Sequence, residues 1–375
     1  MFLFTFVILY AIMNPKGGVS MNNSNNFDKN LIVDTKLKKE DIKFYSVLEA
    51  PFKIYGVTYD RDDKIFKRMP TSVAEKLSEH VMVLHLRTSG GRVRFMTDSS
   101  YVAISAKIPA VYRGSHFSLT GSASFDMYVK QNCAEKYNNT FTPPYDMTDG
   151  YESIFDFKTR EMREVTINFP LYSSLSELHI GLQSDAEVRG ASPYAYDEPI
   201  VFYGSSITQG ACASRAGNSY PAMVCRRFNC DFINLGFSGN AKGEPEIAEY
   251  IAGLDMKAFV YDYDHNAPNV EHLKNTHKRM FDIIRKANPE LPIIMMTSVS
   301  LARAHDDRDA RARVIYDTYR SAVEAGDENV YFINGTELFA DIEDSATVEG
   351  VHPNDTGFHY MAKAVGDVLE KILEK

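Results

Sequence analysis

The residues that could do chemistry in this chain fall at the ends of apolar runs. Ile200 to Gly210 reads I-V-F-Y-G-S-S-I-T-Q-G. The first four residues have the apolar, β-rich character of a buried strand, and the run breaks at Gly204 before Ser205 and Ser206. A hydroxyl on a tight turn at the end of a buried parallel strand can meet a substrate while the scaffold holds it still. The spacing is not the G-x-S-x-G elbow, because Thr208 stands where its second glycine would be. Farther on, Asn234-Leu235-Gly236-Phe237-Ser238-Gly239-Asn240 offers glycines suited to a turn where backbone N–H groups approach a ligand closely. The run Phe259 to Asn266 leaves Asn266 just past a strand end. Asp262 and Asp264 in the same run look like a metal pair, although strand-end carboxylates more often hydrogen-bond neighbouring loops. Val348 to Asp355 reads V-E-G-V-H-P-N-D, with His352 just before the last helix and Glu349 three residues ahead of it. A serine hydroxyl is a weak nucleophile until a neighbouring base such as imidazole takes its proton. Each residue also has a plainer reading: His352 as a solvated pre-helix residue, Asn266 as a turn former before Pro268, Gly239 as a loop glycine.

The elements that must position these residues change texture along the chain. From about Lys43 to Leu182 the pattern is all-β. Tyr101 to Ile108 alternates, and His80 to Arg87 and Arg92 to Thr97 flank Ser89-Gly90-Gly91 as a hairpin. Further strands are expected at His116–Thr120, Phe125–Lys130, Ser153–Phe157, Glu164–Phe169 and Glu177–Leu182, spaced as in a sandwich or jelly roll. Gly190 to Pro199 reads as a linker. Beyond it strands alternate with helices: Ile200–Tyr203, Asp231–Leu235, Ala258–Tyr263, Pro292–Thr297 and Val330–Ile333, with helices at Ser219–Phe228, Glu244–Ala252, Val270–Ala287, Asp309–Ala325 and Thr356–Glu374. Five βα units in succession predict a parallel sheet covered on both faces. Ligands bind beyond the carboxyl ends of such strands, where every motif above falls. The expected division is therefore 1–35 as leader or disordered N-terminus, 36–190 as a β-sandwich, and 191–375 as a three-layer αβα domain. On this reading Arg311 and Arg313 are surface helix residues.

Composition narrows the function. A chain of 375 residues with 44% hydrophobic and 24% charged residues is ordinary globular material. Its net charge of −9 argues against a nucleic-acid partner. Cys133, Cys212, Cys225 and Cys230 contain no C-x-x-C pair, so neither a zinc cluster nor a disulfide framework emerges. That fits a reducing, cytoplasmic location. Phe2 to Met13 is apolar but short for a bilayer, lacks a basic flank and is followed by no A-x-A-like site, so stable membrane insertion is not expected. Export remains the alternative if that stretch is a signal. Lys16-Gly17-Gly18 is also encodable as a ribosome-binding sequence, which would make Met21 the true start.

The block Gly204-Ser205-Ser206-Ile207-Thr208-Gln209-Gly210 resembles the G-D-S-(I/L)-T-x-G motif of the SGNH, or GDSL, hydrolases, with Ser205 in place of the Asp. The glycine turn, asparagine and histidine follow in the family's order. The resemblance implies Ser206 as nucleophile, His352 as general base, and an oxyanion hole built from the N–H groups of Ser206 and Gly239 and the Asn266 amide. It implies no metal and no cofactor. Where the family carries Asp three residues before the histidine this chain has Glu349, which can orient an imidazole as aspartate does. Ser124-Phe125-Asp126-Met127-Tyr128 resembles the G-x-D-L-Y segment of sandwich domains that precede some SGNH esterases, which often act on acetylated polysaccharides or oligosaccharides. As an ordinary strand, the same segment would point Asp126 outward. The expected activity is hydrolysis of short-chain, chiefly acetyl, esters on a small molecule or oligosaccharide. The alternatives are a short-chain lipid or thioester hydrolase and a non-catalytic carbohydrate-binding protein.

Overall fold

The structure is a computed structural model that describes residues 33, 37–132, 134–299 and 306–374. The expected leader over 1–35 thus lies outside the described residues, Val33 apart, as does Cys133. Thr35–Lys375 form one compact unit.

Strand alternation builds the N-terminal half. One antiparallel sheet runs in the order Ile42–Ser46, Glu177–Gln183, Tyr101–Lys107, Gly150–Asp156. The other runs Val188–Arg189, Arg92–Thr97, Arg163–Asn168, Phe125–Gln131, Ala134–Phe141, with Lys53–Tyr55 also paired to Arg92–Thr97. Val93, Phe95, Val102, Ile104, Phe125, Met127, Val165, Ile167 and Ile180 from these strands share one buried core. The sheets are those of the expected sandwich. Three local readings differ. His80–Arg87 is not the first arm of a hairpin: Glu79–Leu84 is a short helix whose N-cap, Ser78, accepts from the Val81 N–H at 3.2 Å, so capping overrides the β-branched valines. His116–Thr120 is not a strand either, because Ser118 caps a helix at Leu119–Ala123. The strand Ala134–Phe141 was illegible because it is polar and lies at the sheet edge.

The C-terminal half is a five-stranded parallel sheet in the spatial order Phe232–Gly236, Ile200–Gly204, Ala258–Asp262, Ile293–Met296, Val330–Ile333. In sequence terms this is 2-1-3-4-5, so the order reverses at Ile200–Gly204, and the crevice for a ligand opens beyond that strand's end. Side chains of this strand alternate between two cores, Ile200 and Phe202 on one face, Val201 and Tyr203 on the other. Helices Tyr220–Phe228 and Asp355–Leu373 cover the first face. Pro245–Ala252, Val270–Ala287 and Arg308–Glu324 cover the second. Leu171 and Tyr172 of the sandwich half enter the first core, while Met69, Ala74 and Val81 enter the second. No helix among the described residues is long and apolar enough to cross a membrane.

Candidate active site

Parallel register sets the site. Gly204 pairs with Gly236 on one side and with Asp262 on the other, so three loops leave the same edge of the sheet from adjacent strands. At the end of the first strand the chain turns sharply into helix Ser206–Gln209. Gly204 is required by crowding, since a Cβ there would lie 1.8 Å from Asp262 Oδ1. Ser205 is the N-cap, buried, with its hydroxyl accepting from Ile207 N–H at 3.1 Å. Ser206 is the first helical residue, and its N–H has no acceptor within the helix. The two neighbouring serines are thereby separated in role: one hydroxyl is turned back into the turn, the other faces His352.

Ser206 Oγ lies 2.9 Å from His352 Nε2, and His352 Nδ1 lies 2.6 Å from Glu349 Oε1. The same carboxylate oxygen accepts the His352 backbone N–H at 2.8 Å. That double contact fixes the three-residue turn and lets glutamate, despite its extra methylene, reach the ring. With Nδ1–H donating to Glu349, Nε2 is left to accept from the serine hydroxyl. Burial holds the His352 imidazole below its ordinary value; the hydrogen bond and charge of Glu349 oppose this, and the charge of His116 adds to it. Burial raises the Glu349 carboxyl, but the hydrogen bonds from His352 more than offset it, so the net shift is downward.

The other two loops carry potential donors. Gly239 is exposed in the left-handed region, at φ 69°, with open space where a Cβ would sit. Its need for glycine is therefore conformational rather than steric. Asn266 ends a short 3-10 turn, Asp264–Asn266, and its Oδ1 accepts from Ala241 N–H at 3.4 Å, while its amide NH2 has no acceptor among the described residues. Both loops are held from behind by buried arginines that sequence reading missed. Arg68, from the sandwich half, donates to Asn234 O at 3.1 Å, Gly236 O at 2.5 Å and Leu84 O at 2.7 Å, and lies over the Phe237 ring. Arg311 donates to Asp264 O at 2.7 Å and Ala267 O at 2.9 Å, and pairs with Asp307 at 2.6 Å. Arg311 is thus not the surface residue expected from its helix but is 2% exposed. Neither arginine carries a motif; each is an isolated basic residue whose burial only the fold reveals.

The sandwich half lines the site as well. The His116 ring stacks on the His352 ring at 5.3 Å, and Phe117 lies 6.4 Å from it. Tyr172 donates to the Ser206 carbonyl at 3.1 Å. Asp126 is not outward: it is fully buried, accepting from Gly217 N–H at 2.8 Å and Asn168 Nδ2 at 2.9 Å, with Arg215 at 3.5 Å. It ties the sandwich to the segment that follows the serine turn.

Among the described residues, His116, Cys212 and His352 bring ligand-type atoms within 4.8 Å of one another. Burial, with the Glu349 charge nearby, pushes the Cys212 thiol up to about 12, and both His352 nitrogens are already engaged. A protonated thiol and an occupied imidazole make a poor metal site. Asp262 and Asp264 do not form one either. Asp262 accepts from the hydroxyls of Thr208 and Tyr220, and Asp264 from Ser298 N–H at 2.9 Å. Burial pushes the Asp262 carboxyl up to about 8, so it keeps its proton into the neutral range.

This arrangement has the geometry to activate a serine hydroxyl at the rim of a flavodoxin-like sheet. The comparisons agree: residues 197–370 match the GDSL-like lipase/acylhydrolase family, and residues 42–188 match the N-terminal GxDLY domain of SGNH-hydrolase-type esterases. The chain belongs to the SGNH/GDSL hydrolases and is an SGNH-type esterase with an N-terminal sandwich. A Bacteroides ovatus protein described as a GDSL-like lipase is 29% identical, with a TM-score of 0.79 over 89% of this chain and 98% of its own. A salicylyl-acyltransferase, SsfX3, from a tetracycline biosynthetic pathway is 18% identical, with a TM-score of 0.73 over the same shares. A family two carbohydrate esterase from Clostridium thermocellum, solved with cellohexaose, is 15% identical, with a TM-score of 0.59 over 86% of this chain and 99% of its own. No curated protein matches the sequence.

Proposed function

We propose that residues 191–375 form the catalytic domain and residues 36–190 an accessory sandwich that walls one side of its active site. Together they remove short acyl groups, acetyl above all, from the hydroxyls of sugars. The observation that carries this reading is the continuous path from Ser206 Oγ through His352 to Glu349, at 2.9 and 2.6 Å. His352 Nε2 takes the Ser206 proton as Oγ attacks the carbonyl carbon. The negative charge that forms on the carbonyl oxygen is met by the N–H groups of Ser206 and Gly239 and the Asn266 amide. Collapse expels the sugar hydroxyl, which receives the proton from His352, and leaves an ester on Ser206. Water then repeats the sequence, giving up its proton to His352, and frees the acid. Glu349 holds the imidazole in the tautomer this requires and faces the positive charge it carries in between.

The sugar side of the reading is supported by aromatic surface rather than by a motif. A cleft of about 370 Å³ lined by Arg113, Phe117 and Tyr145 opens beside the His352 ring, and Tyr145 is 73% exposed. With no Trp in the chain, tyrosine and phenylalanine are the rings left for stacking on a sugar. The test is release of p-nitrophenol from its acetate ester, followed by loss of acetyl from a panel of acetylated oligosaccharides by mass spectrometry. Wild type is expected to act on both, Ser206→Ala to lose about 10⁴-fold or more, and Ser205→Ala to keep the activity while losing about 1 kcal/mol of stability with its cap. Wild type inert on every short ester would end the esterase reading. Preference for long acyl chains over acetyl would end the deacetylase reading.

A further inference from the structure

A second cleft adjoins the oxyanion loop and carries a charge that the reaction does not use. It measures about 230 Å³ and is lined by His80, Arg87, Tyr112, Tyr172, Ser238 and Asn240, together with apolar side chains of helix Glu79–Leu84. Against about 30 Å³ for one water in the liquid, it takes a group the size of a single ring. Ser238 and Asn240 flank Gly239, and Tyr172 reaches the Ser206 carbonyl at 3.1 Å, so the cleft lies next to the loops that carry the reacting groups. No carboxylate lines it. The Arg87 guanidinium is half-buried, donates through Nη1 to the Ala110 carbonyl at 3.0 Å, and forms no ion pair among the described residues. Burial depresses its proton affinity, opposed only by Tyr112. Arg68, itself held by carbonyls and a ring, adds positive charge close by. A half-buried guanidinium with most of its donors unspent, in a chain of net charge −9, is an unfilled half of a salt bridge.

We propose that this cleft binds a carboxylate carried by the ester substrate, with Arg87 as the specificity-determining residue and His80 at the rim. The preferred substrates are then acidic: an ester of a hydroxyl on a carboxylate-bearing ring, or a monoester of a dicarboxylic acid. The inference rests on the esterase reading and narrows its substrate class.

Two matched pairs test it by kcat/KM on the full-length protein. On the alcohol side, 4-acetoxybenzoate is compared with 4-acetoxybenzamide; on the acyl side, p-nitrophenyl hemisuccinate with p-nitrophenyl valerate. In at least one pair, wild type should favour the anion at least 10-fold more than Arg87→Met does, with Arg87→Lys in between and p-nitrophenyl acetate hydrolysis unchanged. His80→Glu, at an exposed rim position, should cut the same preference and serves if Arg87→Met fails to fold. The pair that responds tells which side of the ester enters the cleft. A wild type active on p-nitrophenyl acetate but with no anion preference in either pair overturns the proposal. So does a preference untouched by both variants. A wild type inert on p-nitrophenyl acetate overturns instead the esterase reading beneath it.

Discussion

The two halves of the molecule meet at one site and contribute to it unequally. The α/β half supplies Ser206, Gly239, Asn266 and His352, the groups proposed to touch a reacting atom, and Glu349, which holds the imidazole. The sandwich half supplies groups that stand behind or beside them, among them Arg68, Tyr172, His116 and Phe117, and the side chains proposed to meet the rest of the substrate. The two buried arginines show the division most sharply. Each accepts the strain of burial to hold the carbonyls behind a donor loop, Arg311 behind the Asn266 turn and Arg68 behind the strand leading to Gly239. Arg311 has a carboxylate, Asp307, to balance it. Among the described residues Arg68 has only carbonyls and the Phe237 ring, and burial pulls its proton affinity down to about 9. The lesson is that a sheet edge can present donors, while fixing their aim takes side chains from other elements. In this protein one of those comes from the sandwich half.

The comparison breaks first at Asn266. If the α/β half carries the chemistry, Asn266→Ala should cost about 10²–10³ in kcat, as loss of one oxyanion donor does, with little change in KM. An effect under threefold, in a protein whose thermal midpoint is unchanged, would remove Asn266 from the site and leave the sheet edge with backbone donors only.

The arginines sharpen it. Arg68→Met and Arg311→Met should each lower kcat by about 10–100-fold through misplacement of a donor loop while leaving KM near wild type. Both should also lower the thermal midpoint, because carbonyls are left buried without partners. Arg→Lys should restore part of kcat in either position. If Arg68→Met lowers stability with kcat intact, the sandwich merely braces the fold and has no hand in positioning.

What was legible in the sequence follows the same boundary. In the α/β half, buried strands and amphipathic helices have periods that local sequence cannot hide, and Val270–Ala287 and Val330–Ile333 fall where periodicity placed them. The candidate site was readable there because Ser206, Gly239 and Asn266 closely follow strand ends and His352 sits just ahead of the last helix. The sandwich was readable in its central strands and misread at its margins, where the caps Ser78 and Ser118 converted apparent strands into short helices. His116, expected in a strand, lies instead over the His352 ring. Arg68 and Arg87 gave no signal, because a basic residue looks the same in sequence whether it is solvated or buried against carbonyls brought in from 166 positions away. Long-range burial, not local pattern, decided these positions. Asp126 lies between the cases: its motif was visible, but its buried contacts with Gly217 and Asn168 required the second half of the chain.

The smallest effect concerns His116, where the sandwich comes nearest to the proposed base. Activity needs His352 unprotonated, so kcat/KM should hold at high pH and fall as pH drops through the imidazole's value. Burial and the charge of His116 set that value below the ordinary 6.5, against the pull of Glu349. Removing His116 takes away its charge and uncovers the ring, and both changes act in the same direction. In His116→Ala the acid limb of the pH profile should therefore move upward, toward the ordinary imidazole value, while the plateau rate changes little. His116→Gln, which keeps much of the cover without the charge, should move it less. The limb is read from kcat/KM on p-nitrophenyl acetate, whose leaving group needs no protonation near neutrality. A limb that stays in place in both variants would show that the sandwich does not tune the base, and would confine its role to the walls and the arginine behind the oxyanion loop.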